Sequence, residues 1–453
     1  MNMKFVSLIG LILLLPQCGR QNIKKTFQPV QEESKRRINV EPRWTKAPAR
    51  LQVAAALDKG ITLQDAIMLG INHNPTLQAQ FEEIGISQSD LIQAGFYSNP
   101  NLSTIFNIPK KDTVQTDISV VANFVLSDLW QVPLRKKMSQ DSLEIKTYEI
   151  IDEVLQLRRT IQQQYLTCLY NSEYLQLVKE ITAVIKNIKE RIDYRYQFGY
   201  NSDLDKYFAS TKVAEWQAKI IEAETELRKS YLALHELLGS YILPTTIKLL
   251  DSIHLSYRAI SQENLESFAL SSHPLILVGQ ARIDRAQHTI SYEKSRIVDD
   301  VTLGIAYGRD FEKGVAGVGP SFGINIPLFN TNYGNIERAK FEYKLAEKEL
   351  FAQEQMILRN IITHYIAYKS YLKQIELYNK NIIPSVGQAI EFSKKFFDRM
   401  QMNMIVFLET QIDLFQNKIM LLDLKRKAAF EYSELELAVG AQIDNIDFSR
   451  RVT

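Results

Sequence analysis

The chain has 453 residues, with 54 basic and 52 acidic side chains and a formal net charge of +2. This balance does not suit a nucleic-acid partner, which selects basic surfaces. The two cysteines, Cys18 and Cys168, are too few for a disulfide framework, and neither has metal-ligand spacing. Only 18 glycines and 13 prolines interrupt the chain, which predicts long helices.

The N-terminus has the form of an export signal. Lys4 precedes an apolar run from Phe5 to Leu15, which is too short to span a bilayer stably. We therefore predict a signal peptide at residues 1–17. No later run of about 18 apolar residues follows, so we expect no transmembrane helix in the mature chain, and any membrane crossing must use strands.

The sequence Leu15-Pro16-Gln17-Cys18 is similar to the lipobox of bacterial lipoproteins, although Gln17 stands where a lipobox has a small residue. The resemblance implies that Cys18 is lipidated as the first mature residue. An ordinary cleaved signal beside an incidental thiol is the alternative. Residues 18–60 are polar and contain spaced prolines, which predicts an extended linker after the lipidated cysteine.

The rest of the chain is an internal duplication, because two pairs of sequence features recur at an offset of about 200 residues. The pairs are Asn74-Pro75 with His273-Pro274, and Leu238-Gly239 with Val439-Gly440. We predict a first repeat at 61–240, a linker at 241–260, a second repeat at 261–440 and a C-terminal tail at 441–453. Each repeat would contain one helix of about 35 residues, two strands, a very long helix, a turn and a returning helix of about 37 residues.

The predicted strands cover 102–108, 117–126, 301–307 and 318–328, and all alternate between apolar and small or polar residues. We predict a lipid-facing set comprising Ile118, Val120, Phe124, Leu303 and Ile305. A half-buried soluble sheet is the alternative interpretation, but no other strands are predicted for these hairpins to pack on. Four strands are too few to close a barrel around a lumen, so several chains would have to contribute.

The long helices are predicted at 135–198 and 335–399, each roughly 64 residues and therefore roughly 100 Å long. The second has apolar and aromatic residues stepping by four and three, the seam of an antiparallel coiled coil. We interpret this seam as a packing stripe without a ligand role. Its members are Ile357, Ile361, His364, Tyr368, Tyr371, Ile375 and Tyr378.

The segment from Ile61 to Ile67, followed by Asn74-Pro75, Gln93-Ala94-Gly95 and Asn99-Pro100, resembles the opening of TolC-like outer-membrane efflux proteins. The later sequence Ile326-Pro327-Leu328-Phe329 with Gly334 is similar to their entry into the second long helix. The likeness extends from about residue 62 to 440. Asp128-Leu129-Trp130-Gln131 before Arg135 is similar to members that serve heavy-metal pumps.

This resemblance implies a mainly α fold with a small membrane β part. Family members are homotrimers in which each chain gives four strands to a shared 12-stranded barrel and long coiled-coil helices to a periplasmic tunnel. It also implies localisation in the outer membrane, contact with its lipid, and partnership with a periplasmic adaptor and an inner-membrane pump. The function expected is that of a passive exit duct, while the cargo stays open among metal ions, drugs and proteins.

The resemblance also assigns roles to the two helical tips. Gly199, Ser202 and Asp205 match the family's tip pattern, and Met400 and Asn403 lie in the equivalent second turn. These five residues are expected to dock the adaptor. A purely structural role is the alternative for Gly199 and Ser202, since glycine permits the chain reversal and serine caps the returning helix.

The family's tunnel mouth is narrowed partly by acidic residues one turn apart on the second hairpin. Glu409 occupies one such position and Val406 the other, and Phe397 is predicted to line the same aperture. Three carboxylates around a symmetry axis would attract cations. A solvated helix position is the alternative for Glu409.

We predict that the chain is not an enzyme and has no cofactor or metal site. Its six histidines are scattered without metal-binding spacing, and no phosphate-binding glycine loop is present. A second functional hypothesis is an outer-membrane lipoprotein whose coiled coils form a scaffold that does not conduct.

Overall fold

The computed structural model describes residues 23–45, 53, 56–57, 59–107, 117–240, 247–253, 255, 261–311, 313–398 and 403–446. The strands are β1 Asn101–Asn107, β2 Asp117–Val125, β3 Thr302–Asp310 and β4 Val315–Gly323. The first helices are α1 Ile23–Ile38, α2 Leu63–His73, α3 Pro75–Ala94, α4 Asp128–Gln197 and α5 Asp203–Leu237. The later ones are α6 Gln262–Ser272, α7 Pro274–Ser295, α8 Tyr333–Leu377, α9 Ile383–Asp398 and α10 Met404–Val439.

The predicted opening helix of each repeat is two helices, because a proline interrupts it. Asn74 has an extended conformation, with ψ at 121°, as the residue before a proline prefers. Its side chain accepts the Leu77 amide and caps α3. The same break separates α6 from α7 at His273, whose ring caps α7.

The first long helix, α4, has 70 residues and is roughly 105 Å long. The second is helical without a break from Tyr333 to Asp398, close to the predicted range 335–399, but one turn within it is not α-helical. A π-helical turn, Tyr378–Ile382, separates α8 from α9. Pro384 follows it, and because proline has no amide hydrogen to donate, the regular pattern cannot continue there. The returning helices α5 and α10 have 35 and 36 residues.

The four strands form one antiparallel sheet in the order β1-β2-β3-β4. The fourth strand begins and ends earlier than the predicted range 318–328. Asp310 pairs with Val315 across a turn that contains Gly314 with φ at +68°, so pairing starts directly after the turn. The segment after Gly323, which contains Pro327, lies outside the sheet.

The predicted extended linker at 18–60 contains the helix α1, so that part of the prediction was wrong. Its apolar residues repeat at helical spacing and are buried, as Phe27 and Val30 show. Phe27 packs edge-on against Phe81 of α3, with ring centroids 4.9 Å apart. The N-terminal segment is therefore part of the first hydrophobic core.

Three cores follow one another along the helices. The first joins α1, α2 and α3 to α4 and the end of α5, and the second joins α6, α8 and α10. The third joins the C-terminal part of α4 to α5 and to the start of α10. The predicted coiled-coil seam lies in the second core, where Ile357, Ile361, Tyr368 and Ile375 are buried, which confirms it as a packing stripe. Within the described ranges, no helix is both long enough and apolar enough to cross a membrane.

Candidate functional sites in the sheet and at the hairpin tips

One face of the sheet is apolar and exposed. Directly paired residues lie on the same face, and Phe124 pairs with Leu303, which pairs with Phe322. These three side chains are 53%, 47% and 65% exposed. The five strand residues predicted to face lipid all lie on this face: Ile118, Val120, Phe124, Leu303 and Ile305.

The opposite face is small and polar. Ser321 donates a hydrogen bond of 2.8 Å to the Asn123 side chain, and the bond passes over Gly304, which pairs with both residues. A Cβ atom on Gly304 would lie 2.3 Å from Asn123 Oδ1. A glycine is therefore needed where these two side chains meet.

Both outer strands of the sheet have an open edge. Within the part of the chain that the structure describes, β1 pairs only with β2, and β4 pairs only with β3. Unpaired edges bind further strands readily. Because β1 and β4 run in opposite directions, the β4 edge of one copy can pair antiparallel with the β1 edge of another.

The first tip is a capped reversal. Gly199 has φ at +76°, which favours glycine. Ser202 Oγ accepts the Asp205 amide at 3.2 Å, and Asp205 Oδ2 accepts the Ser202 amide at 2.9 Å, so the two form a capping box. The hydrogen bond from the Ser202 amide holds the pKa of Asp205 below its usual value. These contacts give the tip a fixed shape.

The second tip keeps only the capping function. Asn403 accepts the Ile405 amide at 2.8 Å and starts α10. Val406 and Glu409 are both exposed, one helical turn apart on α10. Phe397 lies in the last turn of α9. The structure therefore places Val406 and Glu409 on one face of α10, as the aperture prediction requires.

Two of the predicted site residues, Cys18 and Met400, lie outside the described residues.

The sequence analysis did not predict one buried contact, which is made by Arg37. Arg37 of α1 is 2% exposed and donates hydrogen bonds to the carbonyl oxygens of Gly440, at 3.0 Å, and Ser272, at 2.6 Å. The only local signal is its spacing of four from Glu33, which ties its side chain to the same helix.

No group of three or more metal-ligating side chains comes together among the described residues. The coiled-coil residue His364 pairs instead with Glu431 of α10, with Nδ1 and Oε2 2.7 Å apart. This pair ties α8 to α10.

The family described as "Outer membrane efflux protein" matches residues 265–441. The chain is 22% identical over 366 residues to the cobalt-zinc-cadmium resistance protein CzcC of Cupriavidus metallidurans, covering 79% of this chain and 85% of that one. It is 24% identical over 363 residues to the outer membrane protein TolC of Vibrio cholerae, covering 74% of this chain and 77% of that one.

Among solved structures, the chain is similar to CusC, described in connection with transmembrane channel formation. The TM-score is 0.71 with 16% sequence identity, over 84% of this chain and 92% of that chain. The resemblance to TolC-like outer-membrane efflux proteins is thereby confirmed, and with it the mainly α fold with four antiparallel strands. The prediction that the chain is not an enzyme is confirmed by this match to transport proteins.

Proposed function

We propose that this chain is one of three identical subunits of an outer-membrane duct, through which cargo selected by an inner-membrane pump leaves the cell. One observation carries the proposal. The sheet is apolar on one exposed face, small and polar on the other, and open at both edges. A sheet of this kind is suited to closing with other copies of itself into a lipid-facing barrel.

Three copies would supply twelve strands, with β4 of each subunit beside β1 of the next. Closure pairs the backbone N–H and C=O groups at the open edges of β1 and β4. Strands in lipid require this pairing, because no water is present to bind those groups. Twelve strands leave a lumen, since interior side chains only just fill a barrel of about eight strands. The face that contains Asn123, Gly304 and Ser321 would line that lumen.

The duct would be passive. A channel selects by its diameter and by the charge of its lining, and the helices would extend that channel into the periplasm. The turn at Gly199, Ser202 and Asp205 and the turn at Asn403, with Met400, would dock a periplasmic adaptor. The capped first turn is consistent with this role, because a fixed shape lowers the entropic cost of binding.

The similarity to a cobalt-zinc-cadmium resistance protein makes divalent metal ions the first cargo to test. Cells that lack their own exit duct, supplied with a matching pump and adaptor, should regain metal resistance with this chain. Resistance to organic drugs, measured in the same cells, would identify the other cargo class.

We propose in addition that lipid on Cys18 anchors the N-terminus in the outer membrane. Intact-mass analysis of the purified protein should show a mature chain that begins at Cys18 and carries acyl groups. An unmodified N-terminus would contradict the anchor and leave the duct proposal standing.

The first test of the duct is the mass and shape of the protein extracted in mild detergent. A particle of three chains with a tapered tube about 100 Å long is the expected result. A monomeric rod would contradict the shared barrel and support a scaffold that does not conduct.

Charge placed on each face of β2 tests the orientation of the sheet. Val120→Arg puts a charge on the apolar face near the middle of β2, where arginine at mid-bilayer costs about 2–4 kcal/mol, so trimers should be depleted in the membrane fraction. Ser119→Arg, one position earlier on the small and polar face, is the matched control and should assemble. Equal assembly of both variants would contradict a lipid-facing Val120.

A further inference from the structure

One charged side chain interrupts the apolar face of the sheet. Arg309 of β3 pairs with Ile118 of β2 and with Ala316 of β4, so all three lie on that face. Every other described strand residue on the same face is uncharged. The remaining charged residues of the strands, Asp117 and Asp310, lie on the opposite face, because successive strand residues alternate.

Arg309 lies at the end of the sheet where β3 turns into β4. Leu303, near the other end of the strand, is roughly 20 Å away along β3. The helices α4 and α8 follow β2 and β4 at the Leu303 end of the sheet. Because the proposed function places these helices in the periplasm, the Arg309 end of the sheet would lie at the outer leaflet of the membrane.

The guanidinium group of Arg309 is exposed and has no acidic partner within the part of the chain that the structure describes. Its Cζ lies 4.6 Å from the centre of the Phe311 ring, which attracts the cation without neutralising it. Lys313 in the turn differs, since its ammonium group lies 3.5 Å from the Asp310 carboxylate. Arg309 therefore keeps its donors available for an anion.

Aromatic side chains surround this position on the apolar face. Phe106 and Tyr307 are 60% and 41% exposed, and Phe106 pairs with Ile118, which pairs with Arg309. Aromatic girdles of transmembrane barrels lie at the depth of the lipid head groups. The cost of an arginine on the lipid face falls there to about 0–1 kcal/mol, and its long side chain extends toward the charged groups.

We propose that Arg309 binds a phosphate group of a glycolipid in the outer leaflet. The planar guanidinium group donates two parallel hydrogen bonds to phosphate oxygens, and the acyl chains of the lipid would lie against Ile305 and Leu303. The proposal rests on the proposed function, because a lipid-facing sheet with its helices in the periplasm gives Arg309 this position.

The test titrates the full-length protein in mild detergent with phosphorylated lipid A and counts bound lipids by native mass spectrometry. Lipid A without its phosphate groups is the control for the acyl chains, and inorganic phosphate at equal concentration is the control for a free anion. We expect an apparent Kd about tenfold lower for the phosphorylated form, as one hydrogen bond between charged groups predicts. Inorganic phosphate should not displace the lipid.

Two variants locate the contact. Arg309→Gln should remove the tenfold preference and leave the binding of dephosphorylated lipid A unchanged. Arg338→Gln is the matched control, since Arg338 is an exposed arginine of α8 that pairs with Glu342, and it should keep the preference.

The same spectra give the number of chains in the particle, so the lipid site and the duct are tested separately. A trimer that binds both forms of lipid A equally would overturn the lipid site and leave the duct standing. An unchanged preference in Arg309→Gln would place the phosphate contact elsewhere, and displacement by inorganic phosphate would mean a site for free anions. A monomer would overturn the duct and the lipid site together.

Discussion

The imidazole of His273 lies 3.2 Å, through Nε2, from the carbonyl oxygen of Leu437 near the end of the last helix. Its Nδ1 accepts the Leu275 amide at 3.1 Å. Asn74 does the same in the first half, since its amide donates to the carbonyl oxygen of Leu237 at 3.0 Å and accepts from Leu77. One side chain in each half therefore caps the helix that follows it and holds the end of the returning helix.

Because asparagine performs both tasks at position 74, we expect His273→Asn to lower the free energy of unfolding by less than about 1 kcal/mol. His273→Ala should lower it by about 2 kcal/mol, since the cap is lost and the Leu437 carbonyl group loses its partner. Urea unfolding of the detergent-solubilised protein measures both changes. Equal losses in the two variants would show that the imidazole acts only by filling space.

The buried His273 should also make the stability of the fold sensitive to acid. Burial lowers the pKa of His273 to about 4. Protonation of Nδ1 would also remove the acceptor of the Leu275 amide. In the unfolded chain this histidine has its ordinary pKa of about 6.5. The stability that the neutral His273 contributes is therefore complete above pH 6.5 and is lost as the pH falls toward 4. The full loss is about 3 kcal/mol.

Asp152 lines a cavity together with His273. Its effect on the pH dependence of the free energy of unfolding is opposite to that of His273. Burial raises its pKa to about 6, so its contribution is present at low pH and is lost as the pH rises through 6. The pH dependence of unfolding should therefore be compared between Asp152→Asn and Asp152→Asn/His273→Asn. Only the first should lose stability steeply between pH 6.5 and 4, and parallel curves would contradict a neutral, buried His273.

The features predicted well were those with a local period. The alternation around Phe124 and the seam through Ile361 follow from side-chain directions in strands and helices, which sequence shows directly. The π-helical turn before Pro384 was missed, although a proline within a long helix is itself a warning. The contacts of Arg37 with Ser272 and Gly440 join segments far apart in sequence, and no periodicity encodes them.

Arg37 joins the N-terminal segment to the ends of two helices of the second half. It donates to the carbonyl oxygens of Ser272 and Gly440, and its own carbonyl oxygen accepts the Gln442 amide at 2.9 Å. Arg37→Met should lower the free energy of unfolding by about 3 kcal/mol, because two carbonyl groups lose a charged donor. Arg36→Met is the matched control, since Arg36 is exposed and its ion pair with Glu33 should contribute little.

The urea-unfolding midpoints of these two variants measure the difference, and limited proteolysis shows whether α1 detaches. In Arg37→Met, cleavage should be faster within residues 23–45 than in the wild type. Equal midpoints for both variants would mean that apolar packing around Phe27 holds the segment without the guanidinium group.

Glu409 and Val406 lie one turn apart and exposed near the second tip, where the proposed duct would be narrowest. A ring of three Glu409 carboxylates would concentrate cations at the mouth. In planar bilayers under a potassium chloride gradient, Glu409→Ala should move the reversal potential toward zero, and Val406→Glu should move it further toward cation selectivity. Glu222→Ala, an exposed acid on the first hairpin, is the control and should leave it unchanged. If Glu409→Ala kept the conductance and selectivity of the wild type, Glu409 would be a solvated helix residue and the constriction would lie elsewhere.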